Sequence, residues 1–217
     1  PTLNDVSLNI EAGERIALIG RNGCGKSTLM KLMACLHTPQ SGKLLFDGYD
    51  SSQYAIRMLR WQIGFMEQDI VLMKGSIRDN ICLGLNKVDD QKLVQAANLA
   101  GLGKFIKNHP DGFDANVGPR GEFLSAGQRQ ALALARVLMR PHPIMILDEP
   151  TSLMDQSAEA HVISTLKALP RDVSIIVSTH RLKLLEAVDR VITIDEGKIV
   201  GDTPKEALLK SQSAKTA

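Results

Sequence analysis

A chain of 217 residues that is 44% hydrophobic can bury a proper core, and its length suits one domain or one core with an appended subdomain. A formal net charge of +2 and an aromatic content of 4% argue against a nucleic-acid partner held by charge or base stacking. Three scattered cysteines, Cys24, Cys35 and Cys82, fit a reducing compartment; no secretion signal is visible in these residues, and no apolar run approaches the roughly 18–20 residues that cross a bilayer.

In chain order, "SLNIEAGERIALIG" reads as two strands around a Glu11–Glu14 turn. "STLMKLMACL" (Ser27 to Leu36) has apolar residues at i, i+3 and i+4 and predicts a helix. "GKLLFDG" is a short strand between glycine turns, and "QIGFMEQ" is a strand ending on polar Gln68. From Ser76 to Met139 the pattern is helical. Ser76 and Asp79 cap its start, "DDQKLVQAANLAG" is capped by aspartates and stopped by Gly101, and "NHPDGFD" is a turn. "GEFLSAGQRQALALARVL" is a helix with a polar first turn that stops before Pro141. "PIMILDEP" and "VSIIVSTH" are apolar runs suited to strands buried on both faces, with the helix "AEAHVISTLKAL" between them. "RVITIDEGKIV" reads as a hairpin around Glu196-Gly197, "TPKEALLK" as a helix with proline near its start, and "SQSAKTA" as a frayed tail. The whole is an α/β core that carries a helical insert.

"GRNGCGKST" (Gly20 to Thr28) follows a strand and opens a helix, the setting of a G-x-x-x-x-G-K-[ST] phosphate loop. Glycines allow the tight turn, and the backbone N–H groups with the helix N-terminus favour an anion. Lys26 would reach the β- and γ-phosphates, and Ser27 would ligate Mg²⁺. Asp148 and Glu149 end a strand: Asp148 suits a Mg²⁺-water ligand, Glu149 a base for the attacking water. Gln68 suits Mg²⁺ or water, and His180 a γ-phosphate contact. Singly, each is as well explained as a strand-end residue; four strands deliver them to one sheet edge.

Together, "GRNGCGKST", Gln68, "LSAGQ", "ILDEP", "SLMD" and His180, in this order, resemble the ATP-binding cassette of ABC transporters over nearly the whole chain. The resemblance implies a P-loop NTPase core with a mainly parallel sheet, an antiparallel β-subdomain and an inserted helical subdomain. The core would take about residues 1–71 and 141–217, and the helical subdomain about 72–140. ATP and Mg²⁺ are the implied cofactors. ATP would lie against Asn22, Gly23, Cys24, Gly25, Lys26, Ser27, Thr28 and Gln68, with Mg²⁺ held by Ser27, Gln68 and, through water, Asp148. Glu149 matches the catalytic glutamate and His180 the switch histidine. Ser125, Ala126, Gly127 and Gln128 match the signature, which grips ATP bound on a second cassette in a head-to-tail dimer. Asp155 matches the loop that links the two sites. The capping box that Ser125 and Gln128 would form explains the same polar turn without a ligand.

"VLMKGSIRDNICLG" resembles exporters, and the stretch from "DEPTSLMD" onward resembles the type I secretion branch, which exports bacteriocins and toxins. This implies a protein or peptide cargo, transmembrane domains on the same full-length chain, and a place on the cytoplasmic face of the membrane. Three residues depart from the family pattern: Ala126 stands for a glycine, Leu153 for an alanine, and Pro119 for a glutamate of the loop that senses the transmembrane partner. The family's adenine-stacking aromatic is not found before the phosphate loop, so that residue and the first strand are either upstream of Pro1 or absent. Two other readings share these motifs: a soluble ATPase of DNA repair or chromosome maintenance, and a regulatory cassette that binds nucleotide without hydrolysing it.

Overall fold

The structure, a computed structural model, describes residues 2–207. The elements in chain order are β1 (Arg15–Ile19), α1 (Lys26–Met33), β2 (Leu45–Phe46), β3 (Tyr49–Asp50), α2 (Ile56–Gln62), β4 (Ile63–Met66), α3 (Ile77–Ile81), α4 (Asp90–Leu99), α5 (Gly103–Asn108), α6 (Ala126–Leu138), β5 (Ile144–Asp148), α7 (Gln156–Ala168), β6 (Ser174–Ser178), β7 (Arg190–Asp195) and β8 (Lys198–Pro204). The chain divides into two compact units. One takes Pro1–Phe65, His142–Glu149 and Pro170–Ala217; the other takes Met66–Pro141 and Pro150–Leu169.

The first unit is built on a sheet of order β4-β5-β6-β1-β7-β8. β5, β6, β1 and β7 run parallel, and β7 turns back antiparallel into β8 through Glu196 and Gly197, both at positive φ. The apolar runs become these inner strands because both faces are covered. Ile16, Leu18, Ile146, Ile176, Ile192 and Ile194 are buried in one cluster with Leu29 and Met30 of α1. The fold is therefore the α/β class expected, with the short antiparallel β2–β3 pair beside it.

Two local expectations differ from what forms. Residues 7–10 make no strand. Their alternation is real, since Leu8 and Ile10 pack on the core, but no neighbouring strand pairs with them; the Asn9 carbonyl accepts from the Arg190 guanidinium (3.0 Å), and in the turn that follows Gly13 N donates to Ser174 Oγ (2.9 Å). The stretch after Ser51 holds α2, which no cap or glycine announces; its N-cap is Ala55, with no side-chain bond. Past β8, helical backbone runs through residues 205–207; the rest of the expected helix and the "SQSAKTA" tail lie outside the described residues.

The second unit is helical. Ser76 and Asp79 form a reciprocal capping box on α3, Asp89 caps α4, and Gly101 at φ 86° ends it. Asp155 caps α7 through a bond from Ala158 N (2.8 Å). Among the described residues, no helix is long and apolar enough to cross a membrane.

Candidate ATP-binding and catalytic site

In the first unit, buried β1 feeds the loop Gly20–Gly25, which needs its glycines for two different reasons. Gly20 sits at φ 149°, and a Cβ there would lie 2.1 Å from the Ile194 carbonyl oxygen. Gly23 sits at φ 79° with nothing within 4 Å, so only its backbone conformation excludes a side chain. The hairpin turn braces the loop, because Gly197 N donates to the Cys24 carbonyl (3.0 Å). Lys26 begins α1 and is buried; its Nζ donates to the carbonyls of Gly20 (2.7 Å) and Arg21 (3.0 Å). The ammonium is thus curled inside the loop. Cys24 is buried with Sγ 3.9 Å from that Nζ, Asn22 and Gly23 are exposed, and Ser27 and Thr28 are half-buried in the first turn of α1.

Two strands away, β5 delivers Asp148 and Glu149, both buried. Glu149 holds φ 50°, a conformation that costs a residue with a side chain about 1–2 kcal/mol. Ser178 at the end of β6 organises the pair: its hydroxyl donates to Asp148 Oδ1 and accepts from Glu149 N (2.9 Å). Ser178 is fully buried, and its only mark in the sequence is that it closes the apolar run "VSIIVS". His180, past β6, brings Nε2 to 3.3 Å from Glu149 Oε1, with its own side chain about half exposed. Burial pushes the Glu149 carboxyl above its usual range; the His180 imidazole and backbone N–H work against that, Asp148 adds to it, and Lys26 opposes it. The sheet order explains the convergence. β5, β6 and β1 are neighbours, so their carboxyl ends share one edge.

The second unit places Gln68 exposed, two residues past β4, and Ser125 exposed at the N-cap of α6. The capping box is present: Gln128 N donates to Ser125 Oγ (3.2 Å), and Ser125 N to Gln128 Oε1 (2.8 Å). Ala126 is the first helical residue and is not at positive φ, so alanine fits there without strain. Leu153 is exposed, Asp155 is the exposed N-cap of α7, and Pro119 opens a single 3₁₀ turn.

Residues 3–152 match the sequence profile of the family described as ABC transporter. The chain belongs to the ABC transporter family. It is the ATP-hydrolysing domain of that family. An ABC transporter relative, a putative multidrug export ATP-binding/permease protein of Staphylococcus aureus strain NCTC 8325, is 38% identical over 214 residues, 99% of this chain and 37% of the relative. The counterpart from the bovine strain RF122 is 37% identical over the same shares. A solved structure of a bacterial Atm1-family ABC exporter with ATP bound superposes with a TM-score of 0.93 at 33% identity, covering 97% of this chain and 37% of that one. This ABC transporter chain therefore spans little more than a third of the length of these relatives. Multidrug export and Atm1-family export are the descriptions they carry; type I secretion is not among them.

The residues fit MgATP. An anion is favoured by the loop N–H groups, the α1 N-terminus and the Lys26 ammonium. Among the described residues no group of three His, Cys, Asp or Glu side chains could hold a metal alone. Mg²⁺ itself takes few protein ligands and draws the rest from phosphates and water.

Proposed function

We propose that this domain binds and hydrolyses MgATP at two composite sites of a head-to-tail dimer and so powers export across a membrane. The observation that carries the reading is the juxtaposition of Lys26, Asp148, Glu149 and His180 at the carboxyl ends of adjacent strands. The amides from Asn22 to Thr28 and the Lys26 ammonium hold the phosphates. Ser27, Gln68 and, through water, Asp148 hold Mg²⁺, which when bound neutralises charge on the transferring phosphoryl oxygens. Glu149 takes the proton of the attacking water. Its burial raises the carboxyl's proton affinity toward the working pH, which suits a base. The His180 imidazole fixes the orientation of Glu149 and faces the phosphate side.

Ser125, Ala126, Gly127 and Gln128 of a second copy close the site. The capping bonds of α6 and capture of a phosphate draw on the same helix-end N–H groups, so the exposed turn is ready for an anion from outside. Asp155 joins the two sites. The remainder of the full-length protein supplies the transmembrane domains and sets this domain on the cytoplasmic face. The names of the relatives favour a small-molecule cargo over a protein or peptide. They lend nothing to a DNA-maintenance ATPase, and the intact Lys26, Glu149 and His180 constellation speaks against a non-hydrolysing regulator.

The test is ATP turnover against protein concentration. Specific activity should rise with concentration, and Glu149→Gln should abolish turnover yet give an MgATP-dependent dimer by size-exclusion chromatography. Lys26→Ala should give neither binding nor dimer. Wild-type turnover in Glu149→Gln would overturn the assignment of the base; the absence of any ATP-dependent dimer would overturn the composite site.

A further inference from the structure

The second unit contains a buried side chain that none of the motif residues accounts for. Gln130 lies on α6, two residues past Gln128, and is 1% exposed. Both ends of its amide are engaged by one loop. Leu153 N donates to Gln130 Oε1 at 2.8 Å, and Gln130 Nε2 donates to Ser152 Oγ at 3.1 Å. The same helix also meets the next peptide unit of the loop. A Cβ on Gly127 would stand 3.1 Å from the Leu153 carbonyl oxygen, tighter than ordinary van der Waals contact. Residue 153 is therefore held at its N–H by Gln130 and approached at its carbonyl by Gly127. Two residues on, Asp155 caps α7, and Met154 N closes a turn onto the Thr151 carbonyl (3.1 Å).

We propose that Gln130 is a positioning residue that locks the loop Ser152–Asp155 to the first turns of α6, so that capture of a phosphate at Ser125–Gln128 and presentation of Asp155 to the second copy are one event. The proposal rests on the composite-site reading above. Its chemistry is specific to glutamine. The loop offers one amide donor and one hydroxyl, and a glutamine amide has an acceptor and a donor at that reach. Glutamate keeps the acceptor, and methionine keeps the volume with neither. Gly127 contributes by its lack of a side chain, which lets the Leu153 carbonyl come close. A rigid loop so attached cannot shift independently of the helix terminus that receives the phosphate.

The experiment uses the intact protein with Gln130→Met and Gln130→Glu, each also combined with Glu149→Gln. Gln130→Met should lower kcat by about 10-fold or more while KM for ATP changes by less than about 2-fold, the split expected when ground-state binding is spared. Gln130→Glu should recover most of kcat, since it keeps the bond from Leu153 N. In the Glu149→Gln background, Gln130→Met should weaken the MgATP dimer and leave the affinity of the separate protomer for ATP unchanged. A packing role alone would lower Tm and leave kcat and the dimer intact, and that result overturns the proposal. Should Gln130→Met fail to fold, two measurements remain decisive: kcat of Ser152→Ala, which loses one arm, and hydrogen exchange of the Leu153 amide in the Glu149→Gln protein. That exchange should slow when MgATP is added; an unchanged rate counts against the coupling. If the Glu149→Gln protein does not dimerise with MgATP at all, the composite-site reading falls, and this proposal with it. A dimer that forms normally beside an unaffected Gln130→Met kcat sinks the present proposal alone.

Discussion

The hydroxyl of Ser178 donates to a carboxylate oxygen of Asp148 directly across the β5–β6 ladder, where the two residues are register partners. The Ser178 hydroxyl oxygen in turn accepts the backbone N–H of Glu149. One buried hydroxyl thus fixes the acidic residue proposed for Mg²⁺ water and the backbone from which the proposed base projects. Removing it leaves a buried carboxylate and a buried N–H without that partner. Ser178→Ala should cost about 1–3 kcal/mol of stability, read from urea unfolding, and should lower kcat more than it raises KM. A kcat equal to wild type would show that the hydroxyl serves packing only.

The Glu149 carboxyl, raised above its ordinary value of 4.5 chiefly by burial, ties stability to pH. The fold favours the neutral form. This group's contribution is therefore full below the ordinary value and is lost as pH rises through the raised folded value. Glutamine carries no such term. With neither nucleotide nor metal present, the Tm of Glu149→Gln should exceed that of wild type by a margin that widens from about pH 4 to about pH 8. A constant or shrinking margin would contradict the burial argument.

The phosphate-loop glycines separate conformational strain from steric exclusion. Gly23→Ala meets nothing and pays only for its positive φ, about 1–2 kcal/mol. Gly20→Ala pays for its φ and also drives a Cβ into the Ile194 carbonyl, so its loss should exceed about 3 kcal/mol. Denaturant midpoints for the two variants decide the matter, and equal losses would refute the distinction.

Cys24 offers a chemical probe. Its thiol is buried in the loop, 3.9 Å from Lys26 Nζ and 2.8 Å from where a Cβ on Gly20 would stand. A bulky alkyl group has no room beside bound phosphates. Complete modification should abolish ATP binding, prior MgATP should protect the thiol, and Cys24→Ala should be indifferent to the reagent. Unchanged nucleotide affinity after full modification would show that the loop has space to spare.

The inner strands, the caps of α3, α4 and α6 and the phosphate loop were all legible locally, because each is governed by residues within a few positions of one another. Apolar runs announced β1, β5, β6 and β7; Ser76 with Asp79 and Ser125 with Gln128 announced helix starts; the Gly20–Thr28 pattern announced a tight glycine turn from a strand into a helix. What remained hidden depends on partners distant in sequence. Residues 7–10 alternate as a strand does, yet form no ladder; the Asn9 carbonyl accepts instead from the Arg190 guanidinium. Ser178 and Gln130 look like ordinary polar interruptions until the register of β5 with β6, and the approach of the Ser152–Leu153 loop to α6, give each two partners. Chemistry encoded in short motifs is visible in one dimension; the buried amide and hydroxyl that hold those motifs in place acquire their meaning only when a fold brings residues 29 and 23 positions away to hydrogen-bonding distance.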